Sequence, residues 1–116
     1  MEKDNRKIVQ KVDRIINEIQ LNELNLISVS WIARQCWITE NKLSKLYKKY
    51  RSIKLYHKIR QHKLETAFQL ISHERDINIY QIANIVGYED SEYFSRIFKR
   101  HYKKTPREVR DSCSAR

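Results

Sequence analysis

Two stretches of this chain copy one another, and nothing else in the sequence constrains the fold as tightly. Ile32-Ala33 recurs as Ile82-Ala83 at an offset of fifty. Leu43-Ser44-Lys45-Leu46-Tyr47-Lys48-Lys49 recurs as Phe94-Ser95-Arg96-Ile97-Phe98-Lys99-Arg100 at an offset of fifty-one. The second copy therefore carries one extra residue in or just after its turn. Each copy reads as a short helix, a turn of a few residues and a longer basic helix, which is the layout of a helix-turn-helix DNA reader. Ala33 and Ala83 are small where the two helices of a unit must cross closely.

One Gly and one Pro in 116 residues, with apolar residues recurring every three or four positions, predict an all-α chain. The expected fold is seven helices: two helix-turn-helix subdomains (1–52 and 74–116) joined by a long linking helix (53–73). Ile8, Val12, Ile15, Ile16 and Ile19 mark the first helix. Ser28 caps a short second one carrying Val29, Ile32, Ala33 and Cys36, and Thr39 caps a third with Leu43, Leu46, Tyr47 and Tyr50 on one face. Leu55, Ile59, Leu64, Ala67, Leu70 and Ile71 are the apolar residues of the linking helix. The fifth helix begins at Asn78, with Gln81 closing a capping box, and stops at Gly87, which accepts the positive φ of a tight helix end. A sixth runs from about Ser91 with Phe94, Ile97, Phe98 and Tyr102. Thr105-Pro106-Arg107-Glu108 opens the last.

Charge points to the partner. With 24 Lys+Arg against 14 Asp+Glu the net charge is +10, which suits nucleic acid or an anionic membrane surface. From Asn41 to Leu64 there are nine cations and no acid; from Arg96 to Arg110 there are seven cations against Glu108 alone. No stretch approaches the roughly 18 apolar residues of a membrane span, so the reading is a cytoplasmic protein acting on double-stranded DNA, with no membrane role. Arg and Lys donate to guanine, Asn pairs with adenine and Glu accepts from cytosine. A linking helix of nineteen residues would be roughly 28 Å long. Adjacent major-groove faces lie roughly 34 Å apart, so both basic helices are expected in successive grooves, read by a monomer if the chain stands alone.

Other features are weighed and set aside. Cys36 and Cys113 lack metal-ligand spacing, as do His57, His62, His73 and His101, so neither metal nor cofactor is expected. Cys36 is expected in the core. For Trp31 and Trp37, packing in a thin core is favoured over contact with DNA. Tyr93 is balanced between base contact and core edge, and Glu92 between accepting from cytosine and sitting at a helix N-terminus. A single glycine leaves no phosphate-cradling loop and no nucleophile elbow, so an enzyme is not expected.

The spaced set Ile82-Ala83, Val86-Gly87-Tyr88, Tyr93 to Arg100 and Thr105 to Arg110 resembles the DNA-binding domain of the AraC/XylS family of bacterial transcription regulators. The resemblance spans roughly residues 8 to 111. It implies a seven-helix domain that places its third and sixth helices in adjacent major grooves and activates transcription by recruiting RNA polymerase. Carried over by position, it implies Asn41, Ser44 and Lys45, with Glu92, Tyr93 and Arg96, as base readers. Thr39, Lys42, Lys48, Lys49, Ser95, Lys99, Arg100 and Lys104 are then the phosphate contacts. Trp37 stands where the family commonly has Gly. A bulky residue at positive φ costs on the order of 1–2 kcal/mol, so that turn is expected to be shaped differently. Arg51-Ser52 stands where Gly often follows the third helix, and Val109 replaces a usual aromatic.

The expected function is sequence-specific transcription regulation, chiefly activation. The alternatives are a weakly specific accessory DNA-binding protein, or a protein-interaction module acting on RNA polymerase. No segment is left for a conventional sensing domain. Control is therefore expected through protein abundance, unless the chain is a piece of a longer regulator.

Overall fold

The computed structural model describes residues 2–114. The helices are α1 (Glu2–Glu18), α2 (Val29–Gln35), α3 (Glu40–Arg51), α4 (Leu55–His73), α5 (Ile79–Ile85), α6 (Ser91–Tyr102) and α7 (Pro106–Ser114). They form two compact units, residues 1–62 and 63–116, and α4 contributes to both. Among the described residues there is no strand.

In the first unit, α1 buries Val9, Val12 and Ile16, one stripe at helical spacing. The sequence reading had missed Val9; Ile8 and Ile15 flank the stripe half-buried, and Ile19 lies beyond the last helical residue. One further element was not expected, a 3-10 helix over Leu21–Leu26. It buries Leu24, and Ile27 is buried immediately after it. The core is completed by Ile32 and Ala33 of α2, Leu43, Leu46 and Tyr47 of α3, and Leu55 and Ile59 of α4.

A carboxylate ties α1 to α3. Asp13 accepts from the Tyr47 hydroxyl at 2.7 Å and from Arg51 Nε at 2.7 Å. Tyr47 is fully buried, and burial first, then its bond to Asp13, pushes its phenol far up from the ordinary value.

The second unit has an aromatic core. The Phe98 ring lies 5.7 Å from Phe94 and 4.8 Å from Tyr102, and Phe68 of α4 lies 6.3 Å from Phe98 and 4.8 Å from Tyr102. Leu64, Ala67 and Ile71 of α4, Ile82, Ala83 and Val86 around α5, and Val109 of α7 complete it. Leu70 is only half-buried. Thr105 and Glu108 cap α7 reciprocally: Glu108 Oε1 accepts from the Thr105 amide at 3.0 Å, and Thr105 Oγ1 accepts from the Glu108 amide at 3.1 Å.

Arg110 then reaches from α7 to the end of α4. Its guanidinium donates to the carbonyls of Ile71 at 3.2 Å, Glu74 at 2.9 Å and Ile77 at 2.6 Å. These are carbonyls that a helix end leaves without an intrahelical partner, or that lie just past it.

Candidate nucleic-acid interface

The sequence repeat is also a repeat of hydrogen bonds. In the first unit the Ile38 amide donates to the Ala33 carbonyl at 3.2 Å; in the second the Tyr88 amide donates to the Ala83 carbonyl at 2.8 Å. Between them stand Trp37 with φ 59° and Gly87 with φ 106°. The two turns thus share a left-handed residue, and the expectation that Trp37 reshapes its turn is corrected. The backbone closure requires that conformation, and the surrounding helices hold it whichever side chain is attached.

The extra residue of the second copy is localised by the caps. Thr39 Oγ1 accepts from the Lys42 amide at 3.2 Å, whereas Asp90 Oδ1 accepts from the amides of Glu92 at 3.0 Å and Tyr93 at 3.1 Å. Ile38 is followed directly by its cap, while Glu89 intervenes between Tyr88 and Asp90. The sequence reading did not single out Asp90, although an Asp immediately before a helix is a strong cap signal.

The helices also end alike. Ser52 at φ 60° donates its amide to Lys48 at 2.9 Å, and Lys103 at φ 66° donates to Lys99 at 2.7 Å. Ser52 therefore takes the left-handed position for which a Gly was looked for.

With both ends fixed, the free face of each second helix is set. On α3, Asn41, Lys42, Ser44, Lys45, Lys48 and Lys49 are all exposed, and Thr39 is exposed just ahead of them. On α6, Glu92, Tyr93, Arg96, Lys99 and Arg100 are exposed, Ser95 is half-buried, and Lys104 is exposed past the helix end. The opposite faces carry the buried Leu43, Leu46 and Tyr47, and Phe94, Ile97 and Phe98. Within each unit, then, the named residues lie on one helix and its flanks. Cations in the last turns (Lys48, Lys49 and Arg51; Lys99 and Arg100) also sit at the favourable end of the helix dipole.

The first unit extends this surface beyond α3. Lys45, Lys48 and Lys49 share an open groove of about 520 Å³ with Lys54, Leu55 and Tyr56 from the start of α4. Tyr56, 57% exposed, is a residue the sequence reading had not singled out.

Three cations of the basic blocks serve the fold instead. Arg51 pairs with Asp13, and Arg110 serves the end of α4. Lys63 lies with its ammonium 5.9 Å from the Tyr88 ring, and burial lowers its pKa.

Trp37 overturns its expectation most sharply, because it is 91% exposed and packs in no core. Trp31 is half-buried. Cys36 is half-buried rather than a core residue; it ends α2, and burial raises its thiol pKa. Among the described residues no group of His, Cys, Asp and Glu is arranged to hold a metal, and no helix is long and apolar enough to cross a membrane.

Two short-helix, turn and basic-helix units, each with its second helix outward, define a helix-turn-helix DNA-binding domain of transcription regulators. Residues 32–112 match a family model described as a helix-turn-helix domain. AlkR of Acinetobacter baylyi, an HTH-type transcriptional regulator, is 34% identical over 83 residues, covering 72% of this chain. The chain spans only 27% of that relative's length. The C-terminal domain of the response regulator yesN from Fusobacterium nucleatum superposes with a TM-score of 0.76 at 28% identity, covering 87% of this chain and 95% of that one. An AraC-type DNA-binding-domain regulator from Chromobacterium violaceum shares the fold, with a TM-score of 0.78 at 22% identity over 96% of each chain. The chain belongs to the AraC-type helix-turn-helix family of transcription regulators.

Proposed function

We propose that this chain is a sequence-specific regulator, acting in the cytoplasm on the nucleoid, that inserts α3 and α6 into adjacent major grooves of one duplex. Asn41, Ser44 and Lys45 read bases in the first groove; Glu92, Tyr93 and Arg96 read them in the second. Thr39, Lys42, Lys48, Lys49, Ser95, Lys99, Arg100 and Lys104 hold phosphates and set the register without reading sequence. It acts mainly as an activator, through RNA polymerase, and binds as a monomer where it stands alone.

One observation carries this reading. Two helices held by the same turn closures and end caps present different outward residues, Asn41 and Lys45 against Glu92 and Arg96. A surface built only to hold phosphate has no use for an acid such as Glu92 on its outward face. An acid and an amide at the starts of the helices suit base edges instead.

Selection of bound duplexes from a random pool, followed by footprinting, tests it. The expected outcome is a defined site with two protected segments about one turn apart on one face. Uniform protection with a specificity ratio near one would make the chain an accessory binder governed by counterion release. Polymerase binding that survives neutralisation of both helices would make it a protein-interaction module.

A further inference from the structure

We propose that Trp37 is a DNA-contact residue, its indole lying against the sugar–phosphate backbone beside the groove that α3 enters, with Arg34 next to it supplying charge. The proposal rests on the DNA reading above and adds a contact that the repeat itself does not contain.

Three observations converge on the first turn. Trp37 is 91% exposed, against 60% for Tyr80 and 57% for Tyr56. It also occupies φ 59°, where the second unit uses Gly87. A bulky side chain is disfavoured in that conformation, and one that buries almost nothing recovers no packing energy from its own unit. Exposure alone is ordinary, but an exposed aromatic side chain on a backbone outlier is the combination found at ligand-contacting positions.

The surroundings say which kind of partner. Ala33, Arg34, Trp37, Ile38 and Thr39 line an open groove of about 550 Å³ that holds one cation and no acid. With Arg34 as its one charge, this mainly apolar groove favours an occupant that pairs anionic groups with a flat or apolar surface, as a sugar–phosphate backbone does. The groove is continuous with the proposed DNA interface, because Thr39, two residues on, caps α3. Consecutive Cα atoms are 3.80 Å apart, so Trp37 Cα lies within about 7.6 Å of that cap. From there a flat indole packs on a deoxyribose while its N–H donates to a phosphate oxygen. Such a contact adds affinity on any sequence. Gly87 offers no side chain for it, so the contact belongs to the first unit alone.

Trp37→Gly in the full chain separates this role from a structural one. Its affinity should fall about fivefold, equally on the selected site and on random duplex, the loss expected for one such polar contact. Its thermal midpoint should stay level or rise, because glycine relieves the left-handed conformation. Unchanged affinity overturns the proposal. So does a loss of promoter activation at unchanged affinity, which assigns the turn to a protein partner.

A second measurement does not depend on how that variant folds. The chain has two tryptophans, so Trp31→Phe leaves Trp37 as sole reporter, and its fluorescence should respond when duplex is added. An indifferent emission, with binding confirmed by mobility shift, overturns the contact. The preference of the unaltered chain for its selected site, measured alongside, reports on the sequence-specific reading independently. A wild-type chain that binds no duplex sinks both.

Discussion

The Arg96 guanidinium lies 5.9 Å from the centroid of the Tyr93 ring, which in turn packs 6.2 Å from the ring of Tyr88. Tyr93 is 39% exposed, so it is both a wall of the second unit and a shelf under the arginine. A guanidinium laid on an aromatic face is held in fewer rotamers and loses less freedom when it engages a base. Arg96→Ala should weaken binding to the selected site by roughly 1–3 kcal/mol and relax preference at one position. Tyr93→Ala should relax the same position by less, and Tyr93→Phe should preserve it. Competition binding against single-base variants of the site measures all three; equal losses on random duplex would reduce Arg96 to a phosphate contact.

Asp13 holds two partners, and they are not equivalent. The Arg51 pair is partly solvated, with side-chain exposures of 39% and 26%, and such pairs contribute about 0–1 kcal/mol. The Tyr47 hydroxyl is buried with its residue at 1% exposure, and orphaning such a donor costs about 1–3 kcal/mol. Asp13→Ala should therefore destabilise the first unit clearly more than Arg51→Ala. Tyr47→Phe, which removes the donor, should cost less than Asp13→Ala. Denaturant unfolding of the three variants supplies the ranking.

Arg110 sits in what reads as a run of surface charge, yet it serves three carbonyls of the α4 end and the segment after it. Arg110→Lys keeps the charge and loses the planar fork, so it cannot reproduce all three bonds. The expected loss is on the order of 2 kcal/mol. Hydrogen exchange should show it in the amides of the second unit, with those of the first unit unaffected. A change confined to DNA affinity would return Arg110 to the binding surface.

The start of α7 carries an acid dependence. The Thr105 amide, donating to Glu108, is the main cause that holds this carboxyl below its ordinary range, and the Thr105 side chain adds to it. A depressed carboxyl contributes stability that is present above the unfolded value, about 4.3. That contribution is lost as pH falls through the lower folded value. The amide signals of Thr105 and Glu108 should therefore report fraying in that acid range. Glu108→Gln, which still caps but does not titrate, should abolish the local pH response.

The scaffold was legible because its signals are local. Ser28, Thr39, Asn78 and Thr105 announce helix starts within four residues of sequence, and Gly87 announces a turn. The outward positions of both second helices followed from the internal repeat and the resemblance together, with Ser95 half-buried as the exception. Trp37 was misjudged because hydrophobicity suggests burial while the turn fixes direction; at φ 59° the side chain leaves the stripe of α2. Arg51 and Arg110 were counted with the charge runs because their partners lie 33 to 39 residues away, beyond any spacing rule. The 3-10 helix over Leu21–Leu26 was missed because six residues with no break signal give no period to detect.

The paired closures, Ile38 to Ala33 and Tyr88 to Ala83, together with the paired ends at Ser52 and Lys103, use only backbone groups. The side chains that face outward on α3 and α6 take no part in them; Lys48 and Lys99 contribute only their carbonyls. The chain therefore behaves as a socket with interchangeable pins. Exchanging Asn41 and Lys45 for the Glu92 and Arg96 side chains leaves every one of those backbone bonds untouched, so the outward side chains can change by mutation while the socket stays as it is.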